Sequence, residues 1–199
     1  MLRPALAIAA AAAAAAALGA CGDDRTTPPD VGKIPSPTGF RDQAFIKEGL
    51  YFKAPRNWRV IAGEAQYQVA TVAVGNAQIG IWRYPRTEPL PETRAQLAAA
   101  RKALLAQVHN RDPTFKLSSS RLVVKQGLNG VELIGTETNQ GQLRMVRSLH
   151  AYGRKAEVVV DAFAPLSDFP RVDDETFGPV ARSLKLGEPG RSAAPKLRK

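Results

Sequence analysis

One segment of helical spacing stands among residues that otherwise alternate, and this contrast limits the folds open to the chain. Leu97, Ala100, Leu104 and Val108 recur at helical spacing, with Leu105 on the flank. Pro91 suits the first helical position and Glu92 favours the positive end of the helix dipole. Asn110 to Pro113 ends the segment. Arg94 and Arg101 fall at the rim of the stripe, where their stems lie on the core and their heads reach water.

On both sides of this helix the chain reads as strands and tight turns. Leu50-Tyr51-Phe52 and Trp58-Arg59-Val60-Ile61 flank a turn at Pro55-Arg56-Asn57. Gln66 to Val74 alternates, Gly75-Asn76 turns, and Ala77 to Tyr84 pairs back as a hairpin. After the helix come Phe115 to Val124, Val131 to Thr138, Gln142 to Tyr152 and Ala156 to Ala164, separated by Gly- and Asn-containing turns. Val158-Val159-Val160 is apolar on both faces, which places that strand centrally. Asp173 and Asp174 are N-cap candidates for a last helix with the stripe Phe177, Val180, Ala181 and Leu184. The expected fold is therefore α+β, a single domain with a twisted, mainly antiparallel sheet flanked by helices.

The beginning of the chain concerns location. Ala5 to Ala20 is an apolar run preceded by Arg3 and followed at once by the polar Gly22-Asp23-Asp24-Arg25. A basic start, a short apolar run and small residues form a secretory signal. The run is 16 residues long, shorter than the roughly 18–20 of a spanning helix. Leu18-Gly19-Ala20-Cys21 resembles the lipobox of bacterial lipoproteins. That resemblance implies cleavage before Cys21 and a diacylglyceryl thioether on it. The expected divisions are a signal peptide (1–20), lipidated Cys21 with a Pro-rich tether (21–43), the domain (44–187) and a disordered basic tail (188–199). The expected location is the extracytoplasmic side of a cell membrane, held through lipid on Cys21.

Cys21 is the only cysteine, so no disulfide can form within the chain and the core alone must hold the domain. Removing 1–20 takes away only Arg3 among the charged residues, leaving 27 basic and 18 acidic side chains, a formal +9. Such a surface attracts anionic lipid head groups or wall polymers. An exported, anchored chain does not meet nucleic acid, and a monomeric domain is expected.

The run Leu50-Tyr51-Phe52-Lys53-Ala54-Pro55-Arg56-Asn57-Trp58-Arg59-Val60 resembles the strand-Pro-x-x-Trp-strand opening of PsbP-like domains, the family that includes LpqN-type bacterial lipoproteins. The element order agrees, down to a closing helix of the form Phe177-x-x-Val180-x-x-Ser183-Leu184. The resemblance spans roughly residues 44–186. It implies a PsbP-like fold and, because the family holds mostly binding and assembly proteins, a non-enzymatic role. Beyond this structural signature it carries over no functional residue. The family often has Gly before the Trp; Asn57 stands there, a residue that tolerates the left-handed conformation.

Little else reads as chemistry. His109 sits near the helix C-terminus, where a charged ring suits the dipole. His150 lies in a strand with no convergent partner nearby in sequence, and a catalytic role would need it to meet a carboxylate or hydroxyl in a cleft. No metal-ligand spacing, hydrolase elbow, phosphate loop or cofactor motif appears. Strand aromatics such as Trp58, Trp82 and Tyr84 serve more often as core. Trp82, Tyr84 and His150 are the candidates for a ligand groove. The expected function is a lipid-anchored envelope binding module that holds a partner protein or an envelope lipid. The alternatives are a structural or wall-associated lipoprotein adhering through its basic surface and, third, an envelope hydrolase.

Overall fold

The strand carrying Val158-Val159-Val160 sits at the middle of the larger of two sheets in a computed structural model, which describes residues 32–125, 128–139 and 141–190. In chain order the elements are β1 (Phe40–Phe45), β2 (Leu50–Pro55), β3 (Arg59–Ala62), β4 (Gln68–Val74), β5 (Ala77–Pro85), α1 (Arg94–Arg111), β6 (Lys116–Lys125), β7 (Leu128–Asn139), β8 (Gln142–Gly153), β9 (Ala156–Pro165), α2 (Phe169–Val172), α3 (Gly178–Ser183) and β10 (Lys185–Leu186). Seven strands pair in the order β3-β4-β5-β9-β8-β7-β6, and β1-β2-β10 form a second sheet. Every pairing is antiparallel. The expected α+β fold is the observed one.

Strand alternation sends one face of β9 into the main core. Val158, Val160, Ala162 and Ala164 join Ile79, Ile81, Val72 and Leu149 under the smaller sheet and the C-terminal helices. Trp58 is 2% exposed there, edge-on to Phe177 at 6.3 Å and 88°. Its indole N–H finds no acceptor among the described residues. The Ser183 hydroxyl accepts from the Lys53 amide at 2.8 Å and donates to the Val180 carbonyl at 2.7 Å, which docks α3 on β2. On the opposite face Leu97, Leu104 and Val108 of α1 pack on Val131 and Leu133 of β7. α1 thus covers the β6–β7 half of the sheet.

Five expectations are corrected. The ordered domain begins before residue 44. Ile34 is 3% exposed in the main core, its carbonyl accepts from Arg171 at 2.8 Å, and Phe40–Phe45 pair with β2. Isolated apolar residues in a Pro-rich stretch can dock on a core built elsewhere, although they cannot build one. At the other end the order runs past residue 187, because Gly190 donates to the Ile46 carbonyl at 2.9 Å and Arg154 meets Glu188. Residues 1–31 and 191–199, with the signal, Cys21 and most of the basic tail, lie outside the described residues.

The N-cap of α1 is Thr93, in a capping box with Gln96, so the helix starts beyond Pro91. Asp173 and Asp174 cap nothing. A π-helical turn over Asp173–Phe177 joins α2 to α3, so the closing helical stretch starts after Asp168, and within it the Asp173 carbonyl accepts from the Gly178 amide. The Asp173 carboxylate instead takes two bonds from Arg147, at 2.5 and 2.6 Å. Arg147 also reaches the buried Glu132 at 2.6 Å. Asn57 keeps a negative φ. Its side-chain amide holds the incoming chain by bonds to the Ser36 carbonyl at 2.9 Å and the Thr38 amide at 3.1 Å.

Candidate functional site

Antiparallel register sets residues of β5, β9 and β8 in rows across the face that α1 leaves partly open. Tyr84, Glu157 and Tyr152 form one row, Trp82, Val159 and His150 the next, and Gly80, Asp161 and Ser148 the third. Leu104, Gln107, Val108 and Arg111 of α1 overhang these rows. The space between is a cleft of about 600 Å³ that Arg86 also lines. The three groove candidates read from the sequence, Trp82, Tyr84 and His150, all line it.

Gly80 gives the floor its shape. A Cβ at residue 80 would lie 2.2 Å from the Trp82 ring. Only a glycine lets that indole lie along the sheet. Trp82, Val159, Leu104 and Val108 make one apolar side of the cleft. Tyr84 extends it outward, with its ring 5.5 Å from Tyr67. Tyr67 is 46% exposed and held at φ 66, in the left-handed region unusual for a bulky side chain.

The other end is charged and mutually paired. His150 Nδ1 lies 2.7 Å from Glu157 Oε1, and Arg86 Nε donates to Glu157 Oε2 at 3.1 Å. Burial works to raise the Glu157 carboxyl, but the hydrogen bonds and charges of His150 and Arg86 outweigh it and hold it below the ordinary carboxylate range. Glu157 is thus ionised at neutral pH. An ionised carboxylate only accepts, so the shared hydrogen sits on His150 Nδ1. The bond to Glu157 raises the Arg86 guanidinium. Burial, with Glu157 beside it, pushes the Tyr152 phenol up to about 12. In the third row the Ser148 hydroxyl donates to Asp161. Among the described residues no group of three or more His, Cys, Asp or Glu side chains is placed to hold a metal ion.

Glu157, Asp161, Arg86 and Arg111 were missed as site residues. A signal for two of them exists: Glu157 and Asp161 share one face of a strand that is otherwise apolar. Neither Arg86 nor Arg111 has a local pattern, since only the tertiary fold brings the end of β5 and the last turn of α1 to β9.

Comparison with known proteins addresses the fold. No protein-family model matches the chain, and no curated protein matches it in sequence. Solved structures do match. The cyanobacterial PsbP of Synechocystis superposes with a TM-score of 0.58 at 14% identity, covering 85% of this chain and 99% of that one. The crystal structure of LpqN, described as involved in cell envelope biogenesis of Mycobacterium tuberculosis, superposes with a TM-score of 0.52 at 14% identity, covering 74% of this chain and 90% of that one. The fold is PsbP-like. At such identity the likeness concerns the fold alone. Among the described residues of this PsbP-like chain, no helix is long and apolar enough to cross a membrane.

Proposed function

We propose that this chain is a lipid-anchored binding module of the cell envelope, and that it holds its ligand, an envelope lipid or a segment of a partner protein, in the cleft beside α1. The observation that carries the reading is the cleft itself: an apolar side built on Trp82 faces a charged end whose groups already have partners. Such a site suits a ligand with an apolar part and a few hydrogen-bonding groups. The secretory pattern ending at Cys21 and the envelope role described for LpqN support the location.

Binding to extracted envelope material across a salt series tests this. The expected result is retention at high salt by the wild-type protein and loss in Trp82→Ala. Adhesion through the basic surface alone would vanish with salt and ignore Trp82.

A second reading is favoured by one contact. His150 does meet a carboxylate in a cleft, which a hydrolase would require. Against it, the hydroxyl on the same strand face, Ser148, is two residues away, a rise of roughly 6.6 Å, and it bonds to Asp161. Hydrolysis of ester or phosphoester probes that His150→Gln abolishes would favour the enzyme.

A further inference from the structure

We propose that the surface where the chain enters the domain is a docking face for anionic lipid head groups, built from Lys33, Arg56 and Arg59 around the exposed Ile61. The incoming segment and the β2–β3 turn share this surface. The Arg56 amide donates to the Gly39 carbonyl at 2.9 Å, and a Cβ added at Gly39 would lie 3.7 Å from the Arg56 side chain. Asn57 ties down residues 36 and 38, and Arg41 Nη2 donates to the Trp58 carbonyl at 3.4 Å.

Several arginines elsewhere on the domain, Arg86, Arg121, Arg144, Arg147 and Arg154, are held in ion pairs. Lys33, Arg56 and Arg59 are exposed, and no carboxylate pairs with them among the described residues. Asp42 stands across from Lys53 in the β1–β2 ladder, and Asp168 and Glu175, near the incoming segment, pair with Arg171. On β3, an edge strand, Arg59 and Ile61 project to the same side, and Ile61 is 42% exposed. A cationic surface with a protruding apolar side chain suits a lipid interface, where head groups meet the charges and acyl chains the isoleucine.

Chain length supports this occupant. Ten residues lie between Cys21 and Gly32, a covalent reach of at most about 40 Å. The orientation at the membrane rests on the Cys21 anchor proposed above; attraction to a vesicle does not. An acyl chain and a basic patch then act as two signals for one membrane.

The test uses the mature chain carrying Cys21→Ser, so that no lipid contributes. Its sedimentation is measured with phosphatidylcholine vesicles, with and without phosphatidylglycerol, at about 0.1 M salt. Binding is expected only to the anionic vesicles. The triple variant Lys33→Gln, Arg56→Gln, Arg59→Gln should bind roughly a hundredfold more weakly. The control Arg94→Gln, Lys102→Gln, Lys116→Gln removes the same charge from α1 and β6, at the far edge of the sheet, and should lose less than about tenfold. Matched melting curves confirm that both variants fold. No preference for anionic vesicles, or equal losses in the two variants, would overturn the docking face. Either result leaves labelling of Cys21 and ligand binding in the cleft as separate questions.

Discussion

Glu157 accepts from Arg86 and His150 at once, so two donors hold its ionised form in place although burial opposes it. A carboxyl lowered in the folded state stabilises above its unfolded pKa, and that contribution fades as pH falls through the folded value. Glu157→Gln should therefore lower the melting temperature at pH 7, with the gap to wild type closing below the ordinary carboxylate value of 4.5. Melting curves across pH check it, and a gap that persists in acid would assign the loss to shape. Tyr152 behaves oppositely. Its raised phenol costs nothing below pH 10 and lowers stability as pH climbs from there towards about 12. Ultraviolet titration should show one phenolate appearing near that upper value and missing from Tyr152→Phe. His150 was visible as a candidate in the sequence, but Glu157 lies in another strand, and only the register of β8 with β9 brings the two together.

At the scale of elements, Gly80 and Trp82 act as a unit. Gly80→Ala should displace the indole, change its fluorescence and weaken ligand retention while the fold survives, because the clash is with a half-buried ring at the cleft. Unchanged emission would mean that the ring does not depend on the missing Cβ. In the core the expected effect is on stability: Trp58→Ala should cost about 3–5 kcal/mol in denaturant unfolding, since Trp58 is buried against Phe177. Strand and helix positions were largely legible because period-2 and helical spacing survive in the sequence. The errors fell where long-range contacts override local signals. Asp173 reads as a cap beside Asp174, yet Arg147 on β8 claims it. Ile34 reads as part of a tether, yet a core assembled far along the chain buries it.

For the whole molecule, one PsbP-like domain presents a cleft on one side of its larger sheet and, at the point of entry of the chain, a surface of unpaired basic residues. The fold was readable from element order; the cleft was readable only as three scattered residues, because its depth comes from α1 covering half of the sheet. The most direct measurement is native mass spectrometry of the protein released by detergent from its own membranes. The expected spectrum shows a chain that begins at an acylated Cys21 and carries a non-covalently bound ligand, and the ligand is absent from Trp82→Ala. An unacylated chain, or a ligand that stays with Trp82→Ala, would contradict a lipid-anchored module binding through the α1 cleft.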